Sequence, residues 1–314
     1  MAATESVTLS FPEPDIALLT IDVVGKGANV MSQSVLRDFS ARLDEIEKRT
    51  DLAGLVIRSG KPGSFIAGAD LREFAASMDI PREKTVEMCN LGRRLFQRLS
   101  TCPFVTVAAI DGICVGGGAE LAVWCDRRVM SDDAKAVIGF PEVKLGLFPG
   151  WGGTARTPRI VGLGNAVELV TGGESIDGRA AVQMGLATDV VPGDRIQDAA
   201  IAVVRQEAAS GQYLRDRQRW NGTIDVNETE LMYLGATASA YIQQVTKGQY
   251  PAPSAALEVM LGAAGSDTEA ACQAEAEGMA ELLLARIVVG AVRSSSSANS
   301  CCFSGRSSST ASTT

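Results

Sequence analysis

The chain has 314 residues, 46% of them hydrophobic, with a formal net charge of −8 and a pI near 4.8. That is enough apolar material for one large core or two modest ones, and the acidic balance is the reverse of that expected for a nucleic-acid binder. It contains no histidine, which excludes Ser-His-Asp and Cys-His catalysis and removes the commonest zinc ligand.

Seven cysteines (Cys89, Cys102, Cys114, Cys125, Cys272, Cys301, Cys302) form no CxxC pair. Most lie in apolar runs, so buried free thiols in a reducing compartment are expected rather than disulfides or a metal site. The amino terminus is polar, without a signal-peptide core. The apolar stretch Leu282 to Val292 is too short to span a bilayer and carries Arg286. A cytoplasmic protein with no membrane or nucleic-acid partner is the expectation.

In chain order, 16–22 and 52–58 are short apolar runs rich in β-branched residues and predict strands. Between them Ser32 is placed to cap a helix with Val35, Leu36, Phe39, Leu43 and Ile46 on one stripe. Residues 64–70 read Ser-Phe-Ile-Ala-Gly-Ala-Asp. Small residues at Ala67, Gly68 and Ala69 let the backbone approach a ligand, and the Ala67 N–H is a candidate donor to an anionic oxygen. Asp70 reads better as the N-cap of a helix starting at Leu71 than as a catalyst. A further helix is expected from about 82 to 99, with Val86, Leu91 and Leu95 inward.

Residues 105–110 predict a buried strand that delivers the chain into Gly112-Ile-Cys-Val-Gly-Gly-Gly-Ala-Glu120. If a helix begins in the triple glycine, its free N–H groups and positive dipole end face the turn, and the Gly117 N–H can donate to a carbonyl oxygen gaining charge. A tight strand-to-helix junction would use the same glycines. Glu120 would lie in the first turn of that helix, held ionised by the dipole. Brief strands follow at Val129–Met130 and Ala136–Ile138, then Gly139-Phe-Pro-Glu142. Taken singly, each glutamate fits a solvent-facing position. Taken with the two turns, Glu120 and Glu142 form a candidate acid–base pair beside two backbone donors, a set suited to turning a thioester carbonyl into an enolate.

Strands and helices alternate to about Val191, which predicts an α/β domain with a largely buried sheet. From about Gln197 to Leu284 the composition is helical, punctuated by Pro251 and Pro253. The last residues, rich in Ser and Thr from 293, are expected to be disordered. The expected organisation is a domain over 1–200, a helical extension over 201–284 and a disordered tail over 285–314. No G-x-G-x-x-G is completed, so no dinucleotide site is expected.

In this order, these residues resemble the enoyl-CoA hydratase/isomerase (crotonase) family over roughly 7–200. The resemblance rests on Asn29-Val-Met-Ser32, Ser64 to Asp70, Asp111 to Glu120, Cys125-Asp126, Gly139 to Glu142, and Leu145 through Pro149-Gly-Trp-Gly-Gly153 to Gly162. It implies a crotonase-like spiral of repeated ββα units with a C-terminal helical region supporting a homo-oligomer. It assigns Ala67 and Gly117 to the oxyanion hole, Glu120 and Glu142 to catalysis, and Ala67, Gly68, Ala69, Asp70 and Gly117 to the substrate, an acyl-CoA thioester. No separate cofactor and no metal are implied, coenzyme A being part of the substrate.

Both glutamates favour hydration of 2-enoyl-CoA to 3-hydroxyacyl-CoA in fatty-acid β-oxidation. Isomerisation of 3-enoyl-CoA to 2-enoyl-CoA, or a non-catalytic acyl-CoA-binding or assembly remnant, are the alternatives. Lys247-Gly-Gln-Tyr-Pro-Ala-Pro253 further resembles the segment after the hydratase part of multifunctional fatty-acid oxidation proteins. On that resemblance the 3-hydroxyacyl-CoA dehydrogenase half is expected to be absent from this chain, and a thiolase or dehydrogenase is the expected partner.

Overall fold

The computed structural model describes residues 5–70, 73 and 81–302. Ten strands form two sheets among these residues. A six-stranded sheet has the order β1-β2-β3-β5-β7-β10, from β1 (Val7–Glu13), β2 (Ile16–Ile21), β3 (Gly54–Ser59), β5 (Val105–Ile110), β7 (Arg127–Ser131) and β10 (Asp189–Val191). A four-stranded sheet has the order β4-β6-β8-β9, from β4 (Ser64–Ala67), β6 (Ile113–Val115), β8 (Val137–Gly139) and β9 (Ser175–Asp177). Only β1 with β2 and β8 with β9 pair antiparallel.

From β3 to β8, consecutive strands are dealt alternately to the two sheets. β3 and β4, β5 and β6, and β7 and β8 each place the first member in the large sheet and the second in the small one. Helix Gly117–Trp124 then leads from β6 back to β7. This is a spiral of ββα units, as the family resemblance implies. Its parallel neighbours follow from the repeat, because each turn of the spiral lays its strands beside those of the turn before.

β5 shows why the central strands read as unbroken apolar runs. Ala108 and Ile110 join the main core, while Val105, Val107 and Ala109 join a second core on the opposite face. That second core is closed by Ile196, Ala200, Val203 and Val204 of helix Ile196–Ser210. A strand covered on both faces has no polar side to alternate with. Residue 200, where composition suggests a domain end, thus lies inside a helix packed on the large sheet.

Ser32 caps helix Gln33–Ile46, its side chain accepting from the Val35 N–H, and Val35, Phe39, Leu43 and Ile46 are buried as expected. Helix Arg82–Gln97 meets expectation in part: Val86 and Leu95 pack half-buried against the core, but Leu91 does not. Leu91 is 72% exposed, and the buried stripe is Thr85, Cys89, Gly92, Arg93 and Phe96. Gly92 allows Trp151 to pack directly on the helix backbone, since a Cβ there would lie 2.5 Å from the indole Nε1. The inward stripe thus passes through Gly92 rather than Leu91.

Asp126, at the start of β7, is buried. It accepts from the Thr106 N–H (2.8 Å) and hydroxyl (3.0 Å) and from Arg217 Nε (2.6 Å) and Nη2 (2.7 Å). This joins the large sheet to helix Gln212–Asn221. Beyond it come helices Glu228–Thr246, Pro251–Gly262 and Thr268–Cys302. The last is continuous through Cys302, so the stretch from 285 assigned by composition to a tail is helical to that point. Residues 303–314 lie outside the described residues, as does the helix start expected at Leu71. Cys89, Cys102, Cys114, Cys125 and Cys272 are free and buried. No helix among the described residues is long and apolar enough to cross a membrane.

Candidate active site

The predicted site residues converge because three parallel strands end side by side. Ala67 closes β4, Val115 closes β6 and Gly139 closes β8, and these three are mutual partners in the ladder. Each strand then turns into the same space. β4 continues as Gly68-Ala69, β6 as Gly116-Gly117 and β8 as Phe140-Pro141-Glu142. Gly68 (φ 98°) and Gly116 (φ 56°) take backbone conformations that other residues rarely adopt, which lets both segments bend out of regular strand geometry there.

The donor assigned by sequence to Ala67 requires correction. Its N–H is spent on the Asn29 carbonyl at 2.8 Å, inside the sheet network. The next N–H on the open side is that of Ala69. Met31 N–H bonds to Gly68 O and Asp70 N–H to Met31 O, so the Ala69 N–H faces away from Met31. Among the described residues it has no acceptor. It lies 3.5 Å from where a Cβ on Gly117 would stand. Gly117 is the first residue of helix Gly117–Trp124, so its own N–H has no intrahelical acceptor. The pair of free donors is Ala69 and Gly117. A regular extended strand would point the N–H groups of Ala67 and Ala69, two residues apart, to the same side; the positive φ of Gly68 between them breaks that alternation and frees Ala69, which composition does not reveal. Asp70 lies with its carboxylate 3.6 Å from Lys26 Nζ.

Glu120 is buried, 4% exposed. Its Oε1 accepts from the Trp151 N–H at 2.6 Å and the Gly153 N–H at 3.1 Å, at the start of helix Gly153–Val161. These bonds favour the charged form. Burial works against them and dominates, and the neighbouring Glu142 and Glu275 carboxyls add to it, so the group holds its proton well above the usual carboxylate range. The helix dipole expected to keep Glu120 ionised is therefore opposed by desolvation, which acts in the other direction.

Glu142 sits in the short turn Pro141–Leu145, which is closed by the Leu147 N–H on the Glu142 carbonyl at 3.0 Å. It is not a solvent-facing loop residue. Its Oε2 is buried without a hydrogen-bond partner. A Cβ on Gly116 would lie only 3.2 Å from its Oε1, so the bare glycine makes room for the carboxyl. Burial, with the Glu275 charge added, pushes Glu142 up to about 8. A carboxyl that is neutral near neutrality and has an unpaired oxygen is equipped to give up a proton.

Two further residues at the site are not assigned to it by the sequence. The Trp151 indole covers Gly117, where a Cβ would lie 2.7 Å from Cζ3, and meets Phe96 edge-on at 5.5 Å between centroids. Glu275, fully buried on helix Thr268–Cys302, reaches the same turn as Glu120. Its signal is visible in retrospect. Cys272, Glu275, Met279 and Leu282 fall on one helical stripe, and a lone glutamate in an apolar stripe needs buried partners.

Comparison with known proteins agrees with this architecture. The enoyl-CoA hydratase/isomerase family model matches residues 15–220. Among solved structures, DspI of Pseudomonas aeruginosa superposes with a TM-score of 0.59 at 29% identity, covering 69% of this chain and 86% of that one. An enoyl-CoA hydratase from Bacillus anthracis gives 0.59 at 25% identity, covering 78% and 89%. Human mitochondrial Δ3-Δ2-enoyl-CoA isomerase gives 0.59 at 20% identity, covering 91% and 99%, a likeness of fold. The fold is crotonase-like, and the chain belongs to the enoyl-CoA hydratase/isomerase family.

Proposed function

We propose that this chain is an enoyl-CoA hydratase that adds water across the double bond of a 2-enoyl-CoA thioester. The observation that carries this reading is the pairing of two carboxyls, the buried Glu120 and the half-buried Glu142 with its Oε2 shut from solvent, with two unspent backbone donors, Ala69 and Gly117, at three adjacent strand ends.

The thioester oxygen would sit between the Ala69 and Gly117 N–H groups, which strengthen their hold as it gains negative charge. This draws electron density from the β-carbon. Water attacks there, and Glu120, in its ionised form, takes the proton on Oε2, since Oε1 is committed to Trp151 and Gly153. The resulting enolate takes a proton at the α-carbon from Glu142. One water is added in total, and the two carboxyls exchange their protonation states, to be reset before the next turnover. Burial raises the proton affinity of both, which strengthens Glu120 as a base and keeps Glu142 charged with its proton. An isomerase would need only one carboxyl to carry a proton between carbons, which leaves the second buried carboxyl without a task.

Purified protein mixed with a conjugated 2-enoyl-CoA should bleach the enoyl-thioester absorbance, with 3-hydroxyacyl-CoA as product. Conversion of 3-enoyl-CoA to 2-enoyl-CoA with no hydration would assign the isomerase instead. Tight binding of the thioester without turnover would assign a non-catalytic binding subunit.

A further inference from the structure

Four successive backbone N–H groups, Trp151 to Thr154, are divided between two buried carboxylates from opposite sides. Glu120 takes Trp151 (2.6 Å) and Gly153 (3.1 Å). Glu275 takes Gly152 on Oε1 (2.6 Å), and on Oε2 both the N–H (2.8 Å) and the hydroxyl (2.5 Å) of Thr154. Each carboxylate thus grips every second N–H of one turn. Neither can move without disturbing the donors of the other.

We propose that Glu275 is a positioning residue of the acyl-CoA site. From the helical extension it fixes the Gly152–Thr154 turn that presents Trp151 and Gly153 to Glu120, and so sets where that carboxylate points and how firmly it keeps its proton. Glu275 does not touch substrate in this scheme. It rests on the hydratase reading only for the step at which Glu120 acts.

Cost supports a role beyond packing. A fully buried carboxylate without a cationic partner is expensive, and among the described residues no arginine or lysine pairs with Glu275. Thr154 alone could be satisfied by a neutral side chain. The titratable groups facing Glu275 are Cys272 on its own helix, Cys89 on helix Arg82–Gln97, and Glu120 and Glu142. Burial pushes the Cys89 thiol up to about 12 and Cys272 in the same direction, so both stay neutral through the working range. The charge that Glu275 carries is therefore felt chiefly by Glu120 and Glu142. Burial also lifts Glu275 itself to about 7, which places its ionisation where a change of pH alters the site.

The test compares wild type with Glu275→Gln and Thr154→Val. With the Glu275 charge gone, Glu120 and Glu142 release their protons more readily, so both limbs of the kcat/KM pH profile should move to lower pH, with KM nearly unchanged. Thr154→Val, which removes one donor but keeps the carboxyl, should move them less and in the same direction. Infrared titration of the carboxyl band lost in Glu120→Gln should show the same acidward movement without any substrate. A lower kcat with an unmoved profile and an unmoved carboxyl titration would reduce Glu275 to a packing residue and overturn the proposal. A wild type that does not hydrate, with the carboxyl titration still moved by Glu275→Gln, would sink the hydratase reading alone. Should Glu275→Gln fail to fold by circular dichroism, Thr154→Val decides: an unmoved titration there overturns the proposal as well.

Discussion

Replacing Glu142 by glutamine keeps the shape of the side chain and removes its proton. Two independent consequences follow. Losing a positioned general acid costs about 10²–10⁴ in rate, equivalent to about 3–5 kcal/mol of barrier, so kcat for hydration should fall on that scale while thioester binding is retained. The second consequence is on stability. The folded state lifts Glu142 from 4.5 to about 8, and each unit is worth 1.36 kcal/mol, or about 5 kcal/mol in all. The direction is opposite to that of a salt-bridged carboxylate. Between those two values the folded chain holds a proton that the unfolded chain has released, so stability falls as pH rises. The contribution is complete below about 4.5 and lost as pH passes through about 8. Glutamine has no proton to lose. Urea unfolding at a series of pH values should therefore show Glu142→Gln gaining on wild type steadily from pH 5 to 9, even as its turnover collapses. Parallel stability curves would mean that Glu142 is not held neutral, and turnover within a few-fold of wild type would remove it from the chemistry.

The Gly117 donor is tested by Gly117→Pro in a Trp151→Ala background, which clears the ring that a side chain at 117 would strike. Proline is tolerated at the first helical position, and loss of the N–H should lower kcat by roughly 10²–10³ relative to Trp151→Ala; equal rates would dismiss this donor. Asp126→Ala should cost about 3–5 kcal/mol in chemical denaturation, because it strands the buried Arg217 guanidinium. A loss below 1 kcal/mol would show that this pair does not hold the helical region to the sheet.

Strand and helix identity was legible in the sequence wherever one residue's neighbours along the chain suffice. β-branched runs marked β2, β3 and β5. Ser32 and the stripe behind it marked the first helix, and the ordered glycine and glutamate motifs marked Gly117, Glu120 and Glu142. Three matters were settled only by tertiary structure. Whether Ala67 or Ala69 offers its N–H depends on the Asn29 carbonyl, a partner across the sheet that takes up the first, and on the left-handed turn of Gly68 that points the second away. That Leu91 faces out of helix Arg82–Gln97 while Gly92 faces in turned on the Trp151 indole packing on Gly92. Glu120 was expected to be ionised from its place in a helix, but its state is set by the water excluded around it and by Glu142 and Glu275, which arrive from 22 and 155 residues further along the chain. Local order fixes backbone periodicity because those interactions span a few residues. Proton affinity and hydrogen-bond direction depend on what the fold brings alongside, and no short stretch of sequence contains that.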